Sequence, residues 1–332
     1  MIKRRNIDPS LVQWIMTVTG LGPGIGEIKW VVPAKSSTSN YRNQLESMGV
    51  DSSDMFTLPS LAYAATTAYR NDVVLVMPGA YAETAEIAWS KQNTHLIGLG
   101  GPNIGGDYSE PNVVIYSVTA NVGSVITVTG ANCQFQNFVI ENNVDDADNL
   151  TAFTLNKYGC YFRNVAFHGL MQSTQCSTAA AAALYIDSNG MYPLFENCII
   201  GQNVWSARTG ANQGVLRFTS TTGRPNGGIF RNCQFLSTGD TEECVMVAMP
   251  DVACCGRGWY FDNCVFIHTD VLVGGAHNLN QVFYTVGGQK DIVTLHHCMA
   301  SGIDAWTDGA HETVLADMAV PAVTGGLGIE PT

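Results

Sequence analysis

Few residues of this chain are spaced to do chemistry. The densest acidic stretch, ENNVDDADN, carries Glu141, Asp145, Asp146 and Asp148. Carboxylates this close, with loop carbonyls, suit a hard cation such as Ca²⁺; a solvated acidic loop has the same composition. His296 and His297 are adjacent, and adjacent residues of a strand face opposite ways, so they do not converge on one metal. Cys198, Cys233, Cys264 and Cys298 recur at one place in successive copies of a repeat. Such a column could be redox-active or bind metal, but thiols are also small, mostly buried hydrophobes that fill narrow cores, and packing is the reading adopted. No residue is assigned as catalytic or metal-binding, and no cofactor is expected.

The elements that hold these residues come from a repeat with a slip inside it. The copies are FQNFVI from Phe135, FRNVAF from Phe162, FENCII from Phe195, FRNCQF from Phe230, FDNCVF from Phe261 and LHHCMA from Leu295. Asn137, Asn164, Asn197, Asn232 and Asn263 are separated by 27, 33, 35 and 31 residues, and His297 follows 34 later. If Phe230 points inward, Arg231 points out, and Cys233 and Phe235 both point inward only if the chain bends at Asn232. Asn is the residue other than Gly that best tolerates the left-handed backbone of such a bend. Another β-rich segment precedes each copy: SVITVTG, TAFTLN, AALYID, GVLRFTS, CVMVAM and QVFYTV. Three strands per repeat, joined by corners and loops of variable length, describe stacked coils of a solenoid. The corner asparagines then form a ladder, as do the interior cysteines.

Composition agrees. The 332 residues include 34 Gly and only 13% charged side chains, which favours turn-rich β structure. A net charge of −12 argues against nucleic acid, whose phosphates need a broad basic surface; the one basic cluster is Lys3, Arg4 and Arg5. The start of the chain does not read as a secretion signal, and no apolar run reaches the ~18 residues of a membrane span. The ten cysteines lack CxxC spacing and read as thiols of a reducing compartment, with Cys254 and Cys255 unpaired with each other.

These features resemble the right-handed parallel β-helix of the pectin-lyase-like superfamily. NDVVLVMPGAYAETAEIAWSKQNTHLIGLGG, residues 71 to 101, resembles its entry coil, with a strand, a PGxY turn, a second strand and LIG as a third. LPSLAYAATTAYR resembles its capping helix, with Ser60, Ala64 and Ala65 at small-residue positions. The fold class expected is all-β, a three-sheet right-handed parallel β-helix with an N-terminal capping helix and extended arms. The divisions are an N-terminal arm at 1–30, a cap with short helices at 31–72, the β-helix at 73–308 and a C-terminal arm at 309–332.

Polysaccharide-cutting members of that superfamily use calcium-assisted elimination or paired carboxylates. Here the outward column beside the corner reads Gln136, Arg163, Glu196, Arg231, Asp262 and His296, in which no two acids are adjacent, so cross-strand ion pairs are expected. The polygalacturonase elements and the lyase arginine motif are absent from the sequence. The next outward column, Val139, Ala166, Ile199, Gln234, Val265 and Met299, is too apolar for a solvated face, and either loops or another subunit must cover it.

Arms at both ends, and the stretch from Trp30 to Ala64, resemble β-helix structural proteins of tailed bacteriophages. The resemblance implies a capsid decoration or cement protein on the virion surface, assembled in the host cytoplasm and homotrimeric. Its partners would be the major capsid protein and copies of itself. Contact would be made through Lys3, Arg4, Arg5, Val139, Ala166, Ile199, Val265 and Met299, although Lys3, Arg4 and Arg5 read equally as a solvated terminus. The other reading is a tailspike or fibre module that binds or cleaves host polysaccharide, with Trp205, Tyr192 and Trp259 as aromatics able to stack on sugars.

Overall fold

The structure is a computed structural model that describes residues 26–33, 40–100, 113–202, 206–219, 223–252, 254–256, 258–269, 278–286, 293–307 and the backbone of 314–316. Lys3, Arg4, Arg5, Trp205 and most of both arms lie outside the described residues.

The chain winds as a right-handed parallel β-helix with three faces. Ile28–Val31, Asp72–Val76, Thr94–Gly98, the first halves of Gln134–Glu141 and Tyr161–His168, then Leu194–Glu196, Ile229–Arg231, Trp259–Asp262, Val293–His296 and Val314–Ala316 make the first face. After the corner, Gly79–Glu83, Val113–Ser117, the second halves of the two long strands, Ile199–Gly201, Gln234–Thr238, Val265–Thr269 and Met299–Ser301 make the second. The third face stacks Ile87–Trp89, Ser124–Val128, Thr151–Leu155, Ala182–Ile186, Gly214–Phe218, Val245–Met249 and Phe283–Thr285. Every pairing is parallel, so each coil sits ~4.8 Å from the next.

The corner is where the hydrophobic pattern slips. Asn137, Asn164, Asn197, Asn232 and Asn263 have φ of 59°, 53°, 53°, 53° and 53°, and His297 takes the same seat at 51°. Asn164 Nδ2 donates to Asn137 Oδ1 at 3.0 Å, and Asn263 Nδ2 to Asn232 Oδ1 at 2.9 Å. The seat's own N–H also reaches the next coil, from Asn232 to the Asp262 carbonyl at 2.9 Å. A residue with a short amide thus meets both demands of the bend, a positive φ and polar groups that repeat at the coil spacing.

The alternation then aims one Phe per coil inward. Phe135, Phe162, Phe195, Phe230 and Phe261 stack with centroid spacings of 5.1, 4.4, 4.5 and 4.9 Å. Offset-stacked rings add roughly 0.5–1.5 kcal/mol per pair beyond burial.

Three expectations change in detail. Ile28–Val31 pairs with Asp72–Val76, so the solenoid's first rung begins inside the segment read as an arm, ahead of residue 73. Thr94–Gly98 also pairs with Asp72–Val76 and therefore opens the next coil; the third strand of the entry coil is Ile87–Trp89. In the capping helix Pro59–Ala64 the buried residues are Pro59, Ala62 and Tyr63, while Ala64 and Ala65 face solvent. Tyr63 explains this choice of face: its ring stacks on Trp89 at 4.1 Å and its hydroxyl accepts the N–H groups of Ser90 and Lys91. Lys91 Nζ closes the helix end, donating to the carbonyls of Tyr63, Ala64 and Thr66 at 2.8–2.9 Å.

Candidate functional site

The outer side of the first face carries the most connected polar strip. Tyr161 donates its hydroxyl to Glu196 Oε2 at 2.6 Å, and Arg231 Nη1 meets Glu196 Oε1 at 3.2 Å. Arg231 Nε reaches Asp262 Oδ2 at 3.3 Å, and His296 Nδ1 lies 3.0 Å from Asp262 Oδ1. In-register stacking of Glu196, Arg231, Asp262 and His296 produces the charged part of this chain of contacts, as alternating charge predicts. The hydrogen bond to His296, then that from Arg231, holds Asp262 below the usual carboxylate range. Desolvation, with the bond to Glu196, pushes Tyr161 up to about 12.

This geometry bears on acid–base chemistry. Glu196 and Asp262 are two coils apart, ~10 Å, close to the separation of an inverting carboxylate pair. Arg231 stands between them and engages both, occupying the space that a glycosidic bond and water would need. The strip is a charge-matched ladder whose exposed pairs contribute roughly 0–1 kcal/mol each.

The acidic loop is committed in another way. Asp145 Oδ1 accepts the Thr174 N–H at 3.0 Å, and bonds from Thr174 hold Asp145 low. Asp146 Oδ1 accepts N–H groups of Asn121 and Asp148 at 3.3 and 2.9 Å. Glu141 turns away onto the outer side of the second face, buried 3.8 Å from His168. Among the described residues no group of three or more His, Cys, Asp or Glu is arranged to hold a metal ion.

All ten cysteines are buried, and none is joined to another by a disulfide. Cys233, Cys264 and Cys298 donate their thiols to the carbonyls of Phe195, Phe230 and Phe261 at 3.4–3.6 Å, each reaching back one coil. Burial pushes Cys233 upward, so it stays a neutral packing group.

The apolar outward column is divided. Val139, Ala166 and Ile199 are 1%, 1% and 6% exposed within the single chain and cluster with Val114, so they are not open to a partner. Val265 is half-buried, and Met299 is 45% exposed. One end of the column is thus hidden within the single chain, and the other is open. The named aromatics divide too: Trp259 is fully buried and donates Nε1 to the Pro225 carbonyl at 2.8 Å, whereas Tyr192 is 64% exposed.

Sequence reasoning missed a second left-handed column. Asn71, Asn93, Asn132, Gly159, Tyr192, Gly227 and Gly258 all have positive φ and precede the first-face strands. From Asn132 onward each lies five residues before a corner asparagine, a constant spacing hidden by the varied residue types. It also missed Arg208, fully buried, which donates to Ser237 Oγ and to the carbonyls of Gln213 and Val245 and ties the turn between second and third faces.

No protein-family signature and no curated protein matches the chain. Solved structures do. A pectin methylesterase mutant in complex with a hexasaccharide shares 18% identity at a TM-score of 0.50, covering 77% of this chain and 79% of that one. Pectin methylesterase PemA from Erwinia chrysanthemi shares 16% at 0.50, over 86% and 82%. The Geobacillus virus E2 ORF18 protein shares 13% at 0.44, over 79% and 57%. At these identities the pectin methylesterases establish a common β-helix fold.

Proposed function

We propose that this protein is a non-enzymatic structural component of a tailed-bacteriophage virion, a capsid decoration or cement protein that binds coat subunits and copies of itself. The observation that carries this reading is the ladder on the outer first face: Arg231 engages both Glu196 and Asp262, leaving a rigid charge-matched rod in place of a carboxylate pair. A scaffold in which each coil stacks on the next suits a part whose task is mechanical. Attachment falls to the basic tip at Lys3, Arg4 and Arg5, and to the open end of the apolar column at Val265 and Met299. Electron microscopy of purified virions tests this. Many copies spread over the shell are expected; a few copies at the tail overturn the decoration role.

A second reading, a module that binds host-surface polysaccharide, is favoured by one observation, the exposed Tyr192 in a left-handed seat. Capsular polysaccharide pull-down distinguishes the two. A reducing-sugar assay adds to it, because turnover would reopen catalysis.

A further inference from the structure

We propose that the edge where the third face turns into the first is a glycan-binding ledge for a neutral oligosaccharide chain, anchored by Tyr192 with Tyr158 beside it. The inference rests on the second reading above and gives it a site away from the charged ladder.

The seat held by Tyr192 argues first. Six of the seven residues in its column are Asn or Gly, which adopt positive φ readily, and Tyr192 does so at 53°. Pro193 follows and restricts its backbone further. A strained backbone is ordinarily held by packing of the side chain. Here the ring is 64% exposed, so burial does not account for it. The seats above and below are Gly159 and Gly227, which place no side chain beside the ring.

Exposure on this edge is also selective. Among the described residues the exposed aromatics are Tyr69, Tyr158 and Tyr192, and all three lie in the turns that lead into the first face. Gly159 N–H donates to the Met191 carbonyl at 2.9 Å, and Tyr192 N–H to that of Asn226 at 2.7 Å, so Tyr158 and Tyr192 occupy adjacent coils. Beside them Asn189 Nδ2 donates to Asn156 Oδ1 at 2.9 Å, forming an exposed amide pair across the same two coils. Lys157 Nζ lies 5.7 Å from the Tyr158 centroid.

Flat amphipathic rings beside amides and an ammonium match a sugar, whose C–H face stacks on an aromatic while its hydroxyls take hydrogen bonds. A net charge of −12 repels polyanions at long range, which selects neutral chains over acidic ones.

The test uses the full chain on an array of neutral and uronic-acid oligosaccharides, followed by calorimetric titration with the best neutral hexasaccharide. Binding is expected to weaken roughly tenfold in Tyr192→Asn, as for an aromatic anchor, and less in Tyr158→Ala. The melting temperature of Tyr192→Asn is expected to hold or rise, because Asn is a usual occupant of the seat. Absence of binding across the array overturns the second reading and the ledge together. Binding that survives both substitutions keeps the reading and removes the ledge. Binding confined to uronic-acid chains, or a Tyr192→Asn melting temperature that falls, overturns the proposal as stated.

Discussion

Two corners bound the first face, and they are built on different principles. The corner after it has one solution repeated, asparagine in five coils and His297 in the sixth, with side-chain amides bonded between Asn137 and Asn164 and between Asn232 and Asn263. The corner before it meets the same backbone demand with Asn, Gly and one Tyr. Uniformity marks a seat where the side chain itself holds the stack. Variety marks one where only the backbone matters and the side chain is free for another purpose.

The largest effect that sharpens this comparison lies between the corners. Phe195→Ala removes the middle ring of the inward stack and should destabilise by about 3–5 kcal/mol, read as a lowered urea midpoint. A loss below 1 kcal/mol would mean that the corners, not the core, hold the coils together. Asn232→Val comes next. It forces a β-branched residue into the left-handed region and removes the bond from Asn263, for about 2–3 kcal/mol, whereas Asn232→Gly should cost under about 1.5 kcal/mol. Equal losses in the two variants would show that the amide ladder, not backbone conformation, dominates the seat.

The smallest effect belongs to the outer ladder. Asp262 has a lowered native pKa, so its contribution is complete above the ordinary carboxylate range near 4 and disappears as pH falls through the native value. Asp262→Asn should flatten this acid limb of stability by well under 1 kcal/mol, since the pair is surface-exposed. A change in the alkaline limb instead would contradict the sign.

These contrasts also explain what could be read from the sequence. The asparagine corner was legible because a left-handed bend admits few residue types, and each bend shifts the alternation of Phe230 against Cys233 and Phe235. The preceding corner was illegible from residue types because Gly159, Tyr192 and Asn132 share a conformation but no chemistry. The charge column was legible since in-register stacking converts the sequence order of Glu196, Arg231 and Asp262 directly into neighbours. Burial of Val139, Ala166 and Ile199 was legible only as a choice, because alternation marks the column as too apolar for a solvated face but does not tell cover by loops from cover by a second subunit. Trp259 and Tyr192 show the same limit: both lie near the start of a first-face strand, yet one enters the core and the other sits in the turn before it.

The alternation of charge has a consequence for how coils find one another. Coils of 27 to 35 residues present nearly equivalent rungs, so a chain could skip one and still bury a phenylalanine. Skipping the rung at Glu196 would lay Arg163 against Arg231, and skipping the one at Arg231 would lay Glu196 against Asp262. Like charges directly opposite on neighbouring strands repel, so the pattern acts as a proofreading code, weak at each position, that penalises winding out of order.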